Sequence, residues 1–369
     1  MVRSNRTGSG SSRGRNRRRK SPLGFLFGLF VLALIAAAAG AAWLIFLPAG
    51  PENETFVDIA PGSTSSQIAA QLEQAGVLRS RYAFTLLKLA KLGRRGSSLK
   101  AGEYRFDHAA PATEVYTRIA RGDVFTLPVT IPEGSNRFDV AERMAKAGYL
   151  NVTKDNFLAA TVAEAPLIAD LDPQAKSLEG YLFPDTYRFP RKATPTQIIA
   201  TMVRRFRTEA AQIGLTSEAG HEGRSIHDIV TLASLVERET AVNTERPLVA
   251  SVLTNRLAQK MPLMTDPAII YGLEVTGQWR GAIYQSDLSD PKHDTPYNTY
   301  RHAGLPPGPI ANPGLPSLHA ALRPAASNFL YFVAAGTDPQ GKSRFAATLE
   351  EHNQNVASYR QAIKHLGAR

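Results

Sequence analysis

The chain contains no cysteine in its 369 residues. That excludes disulfides and thiolate-ligated metal, so any part exported to an oxidising compartment must rely on its core for stability. A Walker loop and a dinucleotide fingerprint are also missing, which argues against a nucleotide-driven enzyme. The eight histidines form no His-x-x-x-His pair, and His227, His293, His302, His319 and His352 are scattered. Neither a metal nor another cofactor is therefore expected. Acidic residues are absent from residues 1–20, which carry eight basic side chains: Arg3, Arg6, Arg13, Arg15, Arg17, Arg18, Arg19 and Lys20. Charge of either sign is absent from Leu23 to Leu47.

At 1.5 Å per residue that uncharged run spans roughly 37 Å, enough to cross a ~30 Å hydrocarbon layer with some tilt. The basic flank would stay cytoplasmic, and the flank with Glu52 and Glu54 would be translocated. A cleaved signal peptide is the alternative, with small residues at Ala36 to Ala42, but the run exceeds the usual h-region. The expectation is a basic cytoplasmic tail (1–22), a transmembrane helix (23–47) and a short linker (48–54), with the remainder on the periplasmic side of an inner membrane. A net charge of +11 could suggest nucleic-acid binding, but setting aside the eight tail charges leaves +3 on everything else. The basicity follows from topology, and no nucleic-acid partner is expected.

The exported part begins with a duplication. The pattern of Val57, Ile59, Gly62-Ser63, Ile68, Ala69, Leu72, Ala75, Gly76 and Leu78 reappears 72 positions later in Val129, Ile131, Gly134-Ser135, Val140, Ala141, Met144, Ala147, Gly148 and Leu150. Each copy predicts a strand, a glycine turn, a helix and a glycine stop. Thr64 and Gln67 form a candidate capping box. Between the copies come a helix over 81–91, a strand over 102–106 and a helix over 112–121. Residues 55–125 resemble a LysM-type module, and residues 126–160 form a second small α+β unit or connector. Tyr82, Tyr104 and Tyr116 could stack on sugars or pack in the core. These units could also serve as spacers above the membrane.

Residues 161–369 differ in composition. Helices are predicted over 194–213, 225–240 and 244–259, and a fourth starts at Thr265-Asp266-Pro267 with Asp266 as its cap. Residues 290–324 hold eight of the 24 prolines, which excludes regular structure over most of that span. Tyr297, Asn298, Tyr300, Leu305 and Ile310 within it suit an ordered cleft wall better than a solvated linker. A hairpin is predicted at 329–334 and 344–347, around Gly336 to Gly341, followed by a helix over 349–365. The fold class expected is α+β: one membrane helix, small LysM-like modules, then a mixed α/β catalytic domain.

Leu232-Ala233-Ser234-Leu235-Val236-Glu237-Arg238-Glu239-Thr240 places two carboxylates at the end of an apolar helix. On a wheel of about 100° per residue they fall on opposite borders of the apolar stripe, about 160° apart. They cannot share one site. Either could be half buried and so kept protonated near neutral pH. The last-turn position, with the negative end of the helix dipole, tips the choice to Glu239 and leaves Glu237 second. Both could instead be flank carboxylates paired with Arg238, Arg246 or Arg256.

Several segments in order carry a family likeness: Lys100-Ala101-Gly102-Glu103-Tyr104, Ile131-Pro132-Glu133-Gly134, Glu179-Gly180-Tyr181-Leu182-Phe183-Pro184-Asp185-Thr186-Tyr187, Leu232 to Thr240, Asn255-Arg256-Leu257, Thr265-Asp266-Pro267 with Ile270-Tyr271-Gly272, Tyr297-Asn298-Thr299-Tyr300, and Gly304-Leu305-Pro306-Pro307-Gly308-Pro309-Ile310. Together they resemble the YceG-like family of endolytic murein transglycosylases. The resemblance implies a lyase that cuts the MurNAc-GlcNAc β-1,4 bond of peptidoglycan strands without water, leaving 1,6-anhydro-MurNAc ends, beside the cell-wall synthases. It points to Glu239, followed by Thr240, as general acid and base. Asp266, Tyr297, Asn298 and Tyr300 become candidates that orient the sugars or stabilise an oxocarbenium-like state. Glu179 and Asp185 flank an aromatic-proline turn and are either structural or supports of the cleft. Ser343 stands where the family leads one to expect a histidine. A water-using muramidase, with Asp266 or Glu237 as second carboxylate, and a non-catalytic peptidoglycan-binding scaffold are the alternatives.

Overall fold

Uninterrupted apolar side chains make residues 22–46 a helix with no polar face, and this is the first element, α1 (Pro22–Phe46), in the computed structural model. The structure describes residues 22–91, 98–218, 223–336 and 341–367. The basic tail from Arg3 to Lys20 and hairpin-loop residues 337–340 lie outside the described residues. The fold is mixed α+β, mostly helical, with three two-stranded antiparallel sheets among the described residues. It divides into two units, Met1–Phe125 and Thr126–Arg369.

In the first unit Gly24–Phe46 has a mean hydropathy of 2.5 and is long enough to cross a membrane. β1 (Thr55–Ile59), α2 (Ser65–Gln74), α3 (Arg81–Ala90), β2 (Gly102–Phe106) and α4 (Ala112–Arg121) come next. β1 pairs with β2, Val57 opposite Tyr104. Thr64 and Gln67 close the capping box of α2. Ile59, Ile68, Leu72, Phe84, Tyr104, Phe106 and Tyr116 fill the core. Tyr104 and Tyr116 are therefore packing residues and offer no ring to a sugar, whereas Tyr82 is exposed. Segment 48–54 is tied down: Ala49 exchanges backbone hydrogen bonds with Ala110 at 2.8 and 3.0 Å, and Arg79 donates to the Pro48 carbonyl at 2.8 Å.

The second unit opens with the repeated pattern, β3 (Leu127–Thr130) and α5 (Arg137–Lys146), then α6 (Lys154–Ala163). Asn136 and Asp139 form the equivalent capping box. Gly148 (φ 70°) matches Gly76 (φ 71°) in the left-handed conformation that ends a helix. β3 pairs with β4 (Thr186–Phe189), Val129 opposite Tyr187, so the second copy shares one core with the rest of this unit. The chain continues through α7 (Pro195–Gln212), α8 (Leu215–Glu218), α9 (Ile226–Glu239), α10 (Arg246–Ala258), α11 (Asp266–Val275), α12 (Gln285–Ser289) and α13 (Leu315–Leu322). The hairpin β5 (Tyr331–Ala334) and β6 (Ser343–Ala346) and then α14 (Leu349–Gly367) complete it.

α9 is the axis of this unit. The wheel predicts a half-buried helix, but every residue from Ile229 to Val236 is buried, because α10, α11 and α13 pack around it. Its polar positions are absorbed locally. The Ser234 hydroxyl donates to the Thr231 carbonyl at 2.7 Å and accepts from the Ile310 amide at 3.0 Å. The proline-rich stretch is thereby ordered, and Asn312 fixes it further. Its amide donates to the Ser135 carbonyl at 2.8 Å, and its side-chain oxygen accepts from Leu182 N–H at 2.9 Å. At Gly180 (φ 87°) a Cβ would lie 2.6 Å from Pro309, so only glycine permits this approach. The stretch also holds α13, which begins with Pro316 in its first turn, where the missing N–H costs nothing.

Candidate active site

The end of α9 is set by Thr240, which turns extended (φ −143°, ψ 135°) and stops the helix just after Glu239. Glu239 enters a cleft of about 320 Å³ built by Arg256 of α10, Asp266 at the start of α11, Tyr300, Phe332 of β5 and His352 of α14. On its other side Glu239 borders a groove with Glu133, Gly134 and Arg246. Among the described residues its carboxylate has no hydrogen-bond or ion-pair partner. Burial first and the Asp266 charge second raise its pKa to about 7, against the opposing effect of Arg256. A carboxyl so placed is populated in both protonation states at neutral pH and can donate and accept a proton in one cycle.

Asp266 is not the cap expected from Thr-Asp-Pro. Thr265 takes the N-cap position and Asp266 the first helical one, which leaves its carboxylate to accept the Tyr300 hydroxyl at 2.7 Å. Thr265 is fixed by the Thr299 hydroxyl at 2.9 Å. Just before it, Met264 holds a left-handed backbone (φ 52°) and donates its N–H to the Thr299 carbonyl. For a non-glycine residue that conformation costs about 1–2 kcal/mol. The strain lies at the cleft edge.

Arg256 is fixed as firmly. Nε donates to the Leu330 carbonyl at 2.7 Å, Nη1 to the Leu263 carbonyl at 2.9 Å, and the guanidinium lies 5.2 Å from the Tyr331 ring centre. The opposite face of the site is lined by His352, whose ring stacks on Tyr331 at 5.1 Å. Burial and Arg256 lower its pKa below the ordinary imidazole value, which favours the neutral ring.

Of the residues singled out from sequence, Glu239, Asp266 and Tyr300 meet in this cleft. Glu237 lies on the other side of α9, where it accepts Arg246 Nη2 and Gly314 N–H, both at 3.0 Å. Its side chain is 5% exposed and that of Arg246 4%, so the two form a buried ion pair. Asn298 is buried, and its amide donates to the Asp287 carbonyl at 3.2 Å while its oxygen accepts Tyr300 N–H at 3.1 Å. It shapes the turn that presents Tyr300. Tyr297 packs on Tyr271, ring centres 5.0 Å apart, and lines a different cavity of about 520 Å³ with Glu179 and His227. Asp185 pairs with Arg205 at 2.8 Å. The Ser343 N–H donates to Glu245 at 2.8 Å and secures the hairpin to the start of α10. Arg256 received no role from sequence beyond motif membership and possible ion pairing, and Phe332 and His352 none. Their separation along the chain hides their convergence. Among the described residues no cluster of three or more His, Asp or Glu could hold a metal ion.

Among the described residues, a mostly helical α+β arrangement with one apolar N-terminal helix and a single partnerless carboxyl in its cleft defines the class. The chain belongs to the YceG-like family, whose model matches residues 57–358. It is 33% identical over 316 residues to an endolytic murein transglycosylase of Bacillus subtilis (strain 168), spanning 82% of this chain and 84% of that protein. A Streptococcus pneumoniae (strain D39) protein of the same name is 29% identical over 339 residues, covering 86% of this chain and 60% of the relative. A crystal structure of a yceG-like protein from Listeria monocytogenes matches 82% of this chain and 99% of its own, with a TM-score of 0.54 at 33% identity.

Proposed function

We propose that this chain is an endolytic lytic transglycosylase that cleaves the MurNAc-GlcNAc β-1,4 bond of nascent peptidoglycan and so terminates strand elongation. The observation that carries the proposal is the Glu239 carboxyl, without a hydrogen-bond partner among the described residues, desolvated enough to hold its proton in part near pH 7 yet open to a cleft. As the neutral acid, Glu239 protonates the leaving glycosidic oxygen and the C1–O bond breaks to an oxocarbenium-like state. The resulting carboxylate then takes the proton of the substrate's own C6 hydroxyl, whose oxygen bonds C1. This closes a 1,6-anhydro ring and returns the acid. Water is not consumed, so no second catalytic carboxylate is required, unlike ordinary glycoside hydrolysis. Burial, and secondly Asp266 held by Tyr300, keep Glu239 protonated, and Arg256 stabilises its charged form midway. Tyr300 and Phe332 supply surfaces for sugar rings.

In this reading α1 is a single-pass inner-membrane anchor with its N-terminus cytoplasmic and the rest periplasmic. Residues 55–125 are a LysM-like glycan-facing module, 126–160 a connector and 161–369 the catalytic part, with cell-wall synthases as neighbours. The same cleft contains Asp266, which keeps a water-using muramidase as the second reading. Mass spectrometry of peptidoglycan treated with the full-length protein in detergent separates them. Anhydro ends that disappear with Glu239→Gln support the lyase. Reducing ends mean a hydrolase, and intact strands bound by folded protein mean a scaffold.

A further inference from the structure

A helix on the surface of a soluble module turns polar side chains outward. α3 does the opposite at the centre of its outward face. Tyr82, Leu86 and Leu89, spaced i, i+4 and i+7, are 68%, 46% and 67% exposed. Among the described residues of the first unit they are the only large apolar side chains so exposed outside α1 and its last neighbour, Leu47. Ala83 and Phe84 of the same helix are buried in the core, so the apolar stripe is additional to the face that holds α3 in place.

The position of α3 tells what covers the stripe. α1 packs against α3 and α4. It does so through its last turn, where Leu44 and Ile45 join the core of the module while Trp43 and Phe46 remain exposed. Arg79, two residues before α3, lies 4.6 Å from the Trp43 ring centre and holds the Pro48 carbonyl. Tryptophan at the end of a membrane span sits at headgroup depth. The backbone bonds between Ala49 and Ala110 leave no free tether between span and module. The first residues of the module are thus fixed at the bilayer surface, and α3 is fixed to them.

We propose that the outward face of α3, with Tyr82, Leu86 and Leu89, lies in the headgroup layer of the bilayer, so that the module docks on lipid as an interfacial helix beside its own anchor. This rests on the reading of α1 as a membrane span.

The chain has no cysteine, so single Leu89→Cys, Tyr82→Cys, Leu32→Cys and Gln71→Cys variants of the full-length protein each take one environment-sensitive fluorophore. They are reconstituted in phosphatidylethanolamine–phosphatidylglycerol vesicles, and emission is read with a quencher on the lipid chains and with aqueous iodide. The labels at Leu89 and Tyr82 are expected to be blue-shifted relative to Gln71 on α2, quenched from the lipid and protected from iodide. Iodide quenching of both equal to that of Gln71, without lipid quenching, overturns the proposal. Protection from both quenchers also overturns it, because a second copy would then cover the stripe. Lipid quenching at Gln71 as strong as at Leu89 does so too, because it means non-specific adsorption. The Leu32 label isolates the underlying reading: if it is not lipid-quenched, the anchor itself has failed, whereas lipid quenching at Leu32 without it at Leu89 sinks only the docking.

Discussion

Two glutamates in the second unit, Glu179 buried and Glu239 half-buried, are both shifted by desolvation and are used differently. Glu179, in the cavity with Tyr271 and His227, and Glu239, in the cleft at the end of α9, are both pushed to a pKa of about 7 chiefly by desolvation. Glu179 is surrounded by donors: Arg137 N–H at 2.9 Å, the Asn312 amide at 3.2 Å and the Tyr271 hydroxyl. It joins α5, α11 and the proline-rich wall. Among the described residues Glu239 has no donor, and it faces open space. A raised pKa alone therefore does not mark an active carboxyl, and the hydrogen-bond inventory separates the two.

Substitution should break this comparison along function at one site and along folding at the other. Glu239→Gln removes the transferable proton while keeping shape, and turnover of peptidoglycan strands should fall about 10²–10⁴-fold with the fold intact. Glu179→Ala leaves three donors facing a void and should cost about 3 kcal/mol or more in urea unfolding at pH 5, where the burial penalty on its charge is small. Activity lost only in proportion to unfolded protein would fit a structural role. Glu179→Ala losing turnover at full stability would overturn the assignment of the two roles.

The next effect concerns pH. The unfolded carboxyl titrates near 4.5 and folded Glu239 near 7, so between those values the native state binds more protons than the unfolded one. Glu239 therefore costs stability as pH rises from about 4.5 to 7, and the cost is constant above that window. Glu239→Gln should be more stable than the parent at pH 7.5, by an amount on the order of 1–3 kcal/mol, and indistinguishable at pH 4. Thermal melts at both values measure the difference.

Much of this contrast was legible before the structure, but unevenly. Local signals were strong. Capping residues, glycine stops and proline at first-turn positions placed α2, α5, α7, α9 and α11, because each depends on neighbours within four residues. Family motifs drew attention to Glu239, Asp266 and Tyr300. Burial from every side was not visible: α9 reads as a stripe because its encirclement by α10, α11 and α13 is long-range. The split between Tyr300 in the cleft and Tyr297 in the Glu179 cavity depends on the turn that Asn298 makes, and spacing does not show it. His352 and Phe332 reach the cleft from elements dozens of residues past the motif, so no periodicity could connect them with Glu239.

The smallest expected effect tests what keeps Glu239 protonated. Burial is the first cause of its raised pKa and Asp266 the second. Asp266→Asn removes the negative charge and retains a group that can still pair with the Tyr300 hydroxyl. Glu239 then loses its proton at a lower pH, and the alkaline limb of the kcat/KM profile should move down while the maximal rate in the acidic range is kept. At pH 7.5 the loss should be roughly tenfold or less, since only the secondary cause has been removed. A uniform collapse of rate at every pH would instead mean that Asp266 takes part in bond breaking. If reducing ends came from the parent and vanished with the variant, Asp266 would be the group that activates water, and the cleft would hold two working carboxylates instead of one.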